Sequence, residues 1–266
     1  MSTETKRAEF TDIHTHILPG FDDGSQSSAE SFSMLCELYK QGVGRVVLTP
    51  HFYARQDEPQ SFVLNRDSAA EHLVERIGEF FAEPEIVGEG KKEIPDIYLG
   101  AEVAYFSAIS ICPELEKMCI SGTKYILVEM PFDNWTGAML QELYSIKKKL
   151  GITPIIAHIE RYFPLFKKEM LDEMISEGFL IQSNAEAFLR TGTRRRALKL
   201  LEESKIHLLG SDCHNMDRRA PNMRAALDMI EKKLGTDVID KLCESGKSVI
   251  GEAEPIWAQS REGNGV

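Results

Sequence analysis

No apolar run in this sequence approaches the ~20 residues that a membrane-crossing helix needs, so stable membrane insertion is not expected. The opening MSTETKRAEF has no apolar core of signal-peptide length. Cysteine is sparse: Cys36, Cys112, Cys119, Cys213 and Cys243 form an odd, scattered set without a CxxC pair. That excludes a disulfide framework and points to a reducing cytoplasm. Basic residues are in deficit, 31 Lys and Arg against 42 Asp and Glu, for a formal net charge of -11. A nucleic-acid partner needs a concentrated basic surface, so none is expected. The two basic runs, 147–149 and 194–196, lie in amphipathic stretches and read as solvated helix faces. No internal repeat is present.

What the sequence does have is ordinary globular material: 266 residues, 42% hydrophobic and 27% charged. One domain over residues 10–252 is expected, with an arm at 1–9 and a mobile tail at 253–266. Short apolar segments read as strands near 11–16, 45–50, 97–102, 125–129, 153–158, 179–183 and 206–211. Several are rich in Ile, Val and Leu, as suits strands buried on both faces. Helical patterns lie between them. Residues 27–42 place Phe32, Leu35, Leu38 and Tyr39 on one stripe, open with capping serines and stop at Gly42. Residues 133–151 repeat that grammar and stop at Gly151. The stretch 82–96 is rich in Gly, Pro and Glu and reads as a surface loop. Sevenfold strand–helix alternation predicts an α/β fold with a parallel sheet, most economically closed into a barrel.

The ionisable residues fall on that map in one pattern. His14 and His16 end the first strand, His51 the second, Glu102 the third, Glu129 the fourth, His158 the fifth, and Asp212 with His214 the seventh. Parallel barrels build their active sites at the carboxyl ends of the strands. In DIHTH the pleat points His14 and His16 to one face, and SDCH does the same for Asp212 and His214. A lone histidine at a strand end is usually a hydrogen-bonded structural residue, and HxH alone says little. Five of seven histidines at strand ends reverse that reading. His72 and His207 lack the placement and are assigned structural roles. Mixed imidazole and carboxylate ligands suit zinc, manganese, iron or cobalt.

The segments DIHTHILPGFDDGS (12–25), TPHF (49–52), LGAEV (99–103), ILVEMP (126–131), IIAHIERY (155–162) and GSDCHN (210–215) resemble the polymerase-and-histidinol-phosphatase (PHP) superfamily. Within it they are most similar to the manganese-dependent protein-tyrosine phosphatases of bacterial capsule and exopolysaccharide biosynthesis. The resemblance spans about residues 10–250. It implies a distorted (β/α)7 barrel with three divalent ions, Mn²⁺ by resemblance, with Fe or Zn compatible with the ligands. By position, His14, His16, Glu102 and Asp212 would hold one ion; Glu102, Glu129 and His158 a second; Asp23, His51 and His214 a third. Asp22 adjoins Asp23, and the spacing from His16 selects Asp23. Three ions and four carboxylates leave a site of about +2, able to hold a phosphomonoester dianion within an acidic protein. Arg161 and Arg219 resemble the phosphate-contacting arginines, with Arg218 as the neighbouring alternative.

The implied function is hydrolysis of phosphotyrosine in a protein, such as the tyrosine-rich tail of a polysaccharide-export kinase. The alternatives are a related phosphoesterase such as a histidinol-phosphate phosphatase, or a metal-stabilised binding module without turnover. Cys213 and Arg219 also match the bare CxxxxxR spacing of cysteine-dependent phosphatases. Their intervening HNMDR has no glycine to curl backbone amides around phosphate, so that reading is set aside.

Overall fold

The computed structural model describes residues 9–82 and 93–257. Parallel strands alternate with helices in the order β1 (Phe10–Thr15), α1 (Ser28–Lys40), β2 (Val43–Leu48), β3 (His51–Phe52), α2 (Pro59–Ala82), β4 (Asp96–Leu99), β5 (Glu102–Ala104), β6 (Tyr125–Glu129), α3 (Gly137–Leu150), β7 (Thr153–Ile156), α4 (Lys168–Ser176), β8 (Leu180–Asn184), α5 (Thr191–Glu202), β9 (Leu208–Gly210), α6 (Met223–Leu234) and α7 (Thr236–Ile250). The caps are those the sequence announced. Ser27 accepts from the Glu30 amide at the start of α1, and Thr136 does the same for Met139 at the start of α3. Gly151 ends α3 in the left-handed region, where glycine carries no Cβ penalty.

Every strand pair is parallel, in the orders β1-β2-β4 and β3-β5-β6-β7-β8-β9. The strands expected at 45–50 and 97–102 are each broken in two, so β3 continues β2 and β5 continues β4. The break at Pro50 has a plain cause, because proline offers no amide to the ladder. Its carbonyl still accepts from the Glu102 amide at 3.0 Å, and Gly100 donates to Leu48 at 2.8 Å. The sheet then closes on itself. Thr15 bridges Cys213, Asp212 donates to the His14 carbonyl at 2.8 Å, and His16 donates to the Cys213 carbonyl at 2.9 Å. The result is a distorted seven-stranded barrel. Ile13, Val47, Leu127, Ile155 and Leu208 from five strands form one buried cluster with Val249 and Ile250 at the end of α7. A larger cluster packs the helices onto the sheet.

Three expected segments lie partly outside the described residues. Residues 1–8 of the arm, 83–92 of the surface loop and 258–266 of the tail lie outside the described residues. The expected tail begins at 253, yet Ile256 and Trp257 are half-buried and packed against the core, since both carry large apolar surfaces.

Gly210 marks the tightest approach at the barrel seam. A Cβ there would lie 2.4 Å from the His14 Cβ and 2.9 Å from the Gln182 amide nitrogen. Gly210→Ala is therefore expected to destabilise the protein by about 1–3 kcal/mol, the usual scale for overpacking. Thermal denaturation should show a fall in Tm of roughly 3–10 °C for a domain of this size. An unchanged Tm would mean that β9 does not pack against His14 as described.

Candidate metal centre

Broken strands and short loops aim the ionisable residues into one cup at the carboxyl ends of the barrel. His14 lies in β1, His51 opens β3, Glu102 opens β5 and Glu129 closes β6. His16, His158, Asp212 and His214 follow their strands by one to four residues. His158 and Asp212 take left-handed backbone angles, φ 30° and 53°. Such angles cost a non-glycine residue about 1–3 kcal/mol and persist only where surrounding contacts fix them. The contacts are present. The His158 amide donates to Gln182 Oε1 at 2.6 Å, and the Arg161 amide returns a bond to the His158 carbonyl at 2.9 Å.

Glu102 is the hub. Its side chain is buried, with Oε2 3.2 Å from His14 Nε2, 3.3 Å from His16 Nε2 and 3.0 Å from His51 Nδ1. Its other oxygen lies 2.8 Å from His158 Nε2. Asp212 Oδ1 sits 3.6 and 3.5 Å from the same His14 and His16 nitrogens. Asp23 Oδ1 joins His51 at 3.4 Å and His214 at 3.3 Å, while Glu129 Oε1 is 3.4 Å from His158. All nine ligand candidates read from the sequence thus meet in one cluster. His72 pairs with Glu75 on the surface, and His207 accepts from the Ile181 amide, so both stand outside it.

The donor set has the spacing that a metal ion requires. Bonds of ~2.0–2.2 Å from one ion to nitrogen and oxygen ligands separate those ligands by roughly 3.0–3.6 Å. The observed separations of 3.0–3.6 Å around Glu102, Asp212 and Asp23 match that range. His14 and His16 face each other nitrogen to nitrogen at 3.1 Å, an approach that needs a proton or a cation between the lone pairs. The Nε2 of His214 is buried without a hydrogen-bond partner. Three overlapping groups gather ligand atoms closely: His16, Asp23, His51 and His214; His14, His16 and Glu102; His51, Glu102 and Glu129. His16 and His51 each belong to two of them, so the division among ions inferred by resemblance is one of several partitions of a continuous cluster.

Bracing residues surround the ligands, and most were not anticipated. Asp22 turns away from the cluster and accepts from His16 Nδ1 at 2.7 Å, the Gly24 amide at 2.9 Å and the His51 amide at 3.0 Å. This separates the neighbours: Asp23 faces the cup and Asp22 orients a ligand. β8 supplies no ligand, but its Gln182 lies 3.4 Å from His14 Nδ1. Asn184 receives the Gln182 amide at 2.9 Å and donates to Asp212 Oδ2 at 2.7 Å. Glu160 anchors β8 from the other side through Ser183 and the Asn184 amide. The legible signal was polar residues at alternate positions of a buried strand, Gln182 and Asn184.

The electrostatics follow from burial and pairing. Burial alone would lower the His16 pKa, but hydrogen bonds to Asp22 and Glu102 outweigh it and raise it to about 10. Burial likewise works against charge on His158, and Glu102 and Glu129 raise it to about 9. His214 goes the other way, to about 4, through burial and the nearby His16. Burial disfavours ionised Glu102 and Asp212, yet the surrounding imidazoles hold both well below the usual carboxylate range. The cup is a set of carboxylates that demands positive charge. Arg161 and Arg219 reach it from exposed loops, donating to the two Asp212 oxygens at 2.8 and 2.7 Å. Arg219, rather than Arg218, is the residue that points into the centre. Cys213 is fully buried between two ligand candidates, and burial pushes its thiol well above the ordinary range, which removes it as a nucleophile.

The chain is similar to known proteins over most of its length. A family model described as capsular polysaccharide synthesis, CpsB/CapC, matches residues 10–250. The tyrosine-protein phosphatase CpsB of Streptococcus pneumoniae is 34% identical over 237 residues, covering 84% of this chain and 90% of that protein. The tyrosine-protein phosphatase YwqE of Bacillus subtilis strain 168 is 28% identical over 254 residues, covering 90% and 91%. A crystal structure from the pair YwqE and CpsB, described as metal-dependent tyrosine phosphatases, shares the fold with a TM-score of 0.75. Its identity is 24%, with 92% of this chain and 99% of that one covered.

Two predictions arise from the cluster. Asp22→Ala should weaken divalent-ion affinity by about 10- to 100-fold, the usual effect of losing a ligand's brace. Calorimetric titration with Mn²⁺ measures it, and unaltered affinity would show that Asp22 does not orient His16. The second concerns pH. The raised His16 and His158 groups stabilise the metal-free fold below their unfolded pKa near 6.5. That contribution is lost as pH rises through about 9 and about 10. The Tm of EDTA-treated protein should accordingly fall between pH 7 and 10, and saturating Mn²⁺ should suppress the fall by replacing the protons. An identical decline with and without metal would contradict the shared use of these nitrogens.

Proposed function

The chain belongs to the capsular polysaccharide synthesis CpsB/CapC family, and on that premise we propose that it hydrolyses phosphotyrosine in proteins with divalent ions held in the cup. The observation that carries the reading is the convergence of eight imidazole and carboxylate side chains and two arginines around Glu102. His14, His16, Asp23, His51, Glu102, Glu129, His158, Asp212 and His214 would hold the ions, three by the family resemblance and Mn²⁺ by preference. Bound divalent ions supply a water of lowered pKa and neutralise charge on phosphoryl oxygens.

The chain's own residues do the rest. Arg161 and Arg219 stand at the mouth with side chains 41% and 38% exposed, so their forks can grip two oxygens of an incoming phosphate. Asp212 holds both guanidiniums in place, and Asn184 holds Asp212. The deep ligands are 0–1% exposed, which keeps bulk water from the reacting phosphorus. Tyrosine is a good leaving group among alcohols, its phenol pKa being near 10, so no strong acid is demanded of the protein. The in vivo substrate proposed is the tyrosine-rich tail of a polysaccharide-export kinase, reached in the cytoplasm; the family's place in capsule synthesis and the five free cysteines support this. Among the described residues no helix is long and apolar enough to cross a membrane.

Purified protein with Mn²⁺ should hydrolyse p-nitrophenyl phosphate and a phosphotyrosine peptide, prefer the peptide over histidinol phosphate, and lose turnover in EDTA. Arg219→Ala should lower kcat/KM by about 100-fold, the scale of one lost charge-stabilising contact. Turnover that survives complete metal removal would end the proposal, and histidinol phosphate as the better substrate would redirect it.

A further inference from the structure

A basic groove adjoins the 159–168 segment that carries Arg161. It runs between α4 and α5, has a volume of about 490 Å³, and is lined by Phe166, Lys168, Arg195, Arg196 and Lys199 with Glu203 at one end. Its walls are the segments that follow β7 and β8, which open at the carboxyl ends of the strands. The 159–168 stretch therefore serves both places: Arg161 reaches Asp212, and Phe166 with Lys168 lines the groove.

One of the groove's cations is held in place without an acidic partner among the described residues. Arg196 lies 4.5 Å over the Phe163 ring and 5.4 Å over Phe166, and donates to the Phe163 carbonyl at 2.6 Å. Neither Arg196 nor Arg195 has a carboxylate partner among the described residues. Glu203 is itself shared by Lys168, Lys199 and Lys205 at 4.0, 3.8 and 3.4 Å. A cation fixed by aromatic rings, with no acid beside it, stands out in a chain of net charge -11. Arg195 and Arg196, from the run that the sequence presented as a solvated helix face, are exposed and line this groove.

A ladder of rings joins the centre to the groove: His158 to Tyr162, Tyr162 to Trp135, Trp135 to Phe166, and Phe166 to Arg196, in steps of 5.0–5.6 Å. The straight-line separation is no longer than those four steps end to end, a length that an extended peptide spans in about six residues. We propose that the groove docks a segment rich in aspartate and glutamate, within about six residues of the phosphotyrosine being hydrolysed. This inference rests on the reading of the chain as a protein-tyrosine phosphatase.

The test uses Mn²⁺-loaded protein and labelled phosphotyrosine peptides carrying four Glu, or four Gln, centred six residues before or after the phosphotyrosine. Fluorescence anisotropy on matching peptides with non-hydrolysable difluorophosphonomethyl-phenylalanine in place of phosphotyrosine reads binding, and steady-state kinetics on the phosphotyrosine peptides read KM and kcat. One Glu peptide should bind about five-fold more tightly than its Gln partner at low salt, with KM lowered and kcat unchanged. Salt at ~0.5 M and the double variant Arg195→Glu/Lys199→Glu should erase the difference, while p-nitrophenyl phosphate turnover of that variant stays at the wild-type rate. Equal affinity for Glu and Gln peptides on both sides, or a preference that survives the double variant, would overturn the docking. Loss of p-nitrophenyl phosphate turnover in the wild-type protein would instead sink the phosphatase reading, and the anisotropy would still report on the groove.

Discussion

A single carboxylate in contact with four imidazoles is the constraint around which this molecule is arranged. Glu102 is 1% exposed, and its two oxygens lie 2.8–3.3 Å from nitrogens of His14, His16, His51 and His158. A buried carboxylate without compensation would cost several kcal/mol, so the site holds together only while positive charge, as protons or metal ions, occupies it. The interruption of two strands serves this end. The breaks at Thr49-Pro50 and Gly100-Ala101 restart the ladder with His51 opposite Glu102 in register. An uninterrupted barrel would run both strands on without that local redirection.

The same demand for positive charge reconciles an acidic protein with an anionic substrate. Five carboxylates, Asp22, Asp23, Glu102, Glu129 and Asp212, lie in or beside the cup, and none is spent on bulk repulsion. Asp22 is consumed by His16, Asp212 by two arginines and Asn184, and the rest face ligand nitrogens. Divalent ions added to that set convert it from a cation trap into a net cationic surface for phosphate. Charge at the site and charge of the whole chain are therefore independent quantities, and only the former bears on the reaction.

Much of this was legible because it obeys short-range rules. Strand ends, helix caps and the HxH pleat are local, so His14, His16, His51, Glu102, Glu129, His158, Asp212 and His214 could be placed in a common rim before any coordinates. The unreadable part depends on contacts across the barrel. Gln182 stood out only as a polar residue in a buried strand, and its role was hidden because its partners, His14 and the His158 amide, are 168 and 24 residues away. The spacing from His16 selected Asp23 over Asp22, but the part Asp22 plays in bracing His16 and the His51 amide left no trace in the pattern. The split of β2 from β3 had a signal in Pro50, whereas that of β4 from β5 had only Gly100, which strands also tolerate.

Exposure divides the centre into two functional layers. The imidazoles at the bottom, His14, His16 and His158, are fully buried and spring from strands or their immediate ends, where backbone hydrogen bonds on both sides resist displacement. Arg161 and Arg219 are more than a third exposed and spring from the loops that follow β7 and β9. A change in the lower layer disturbs several ligands at once, because His16, His51 and Glu102 are each shared. A change in the upper layer alters what reaches the centre and leaves the cup intact. The deep ligands are thus fixed by the barrel, and the two arginines at its mouth by the segments around 159–168 and 215–221.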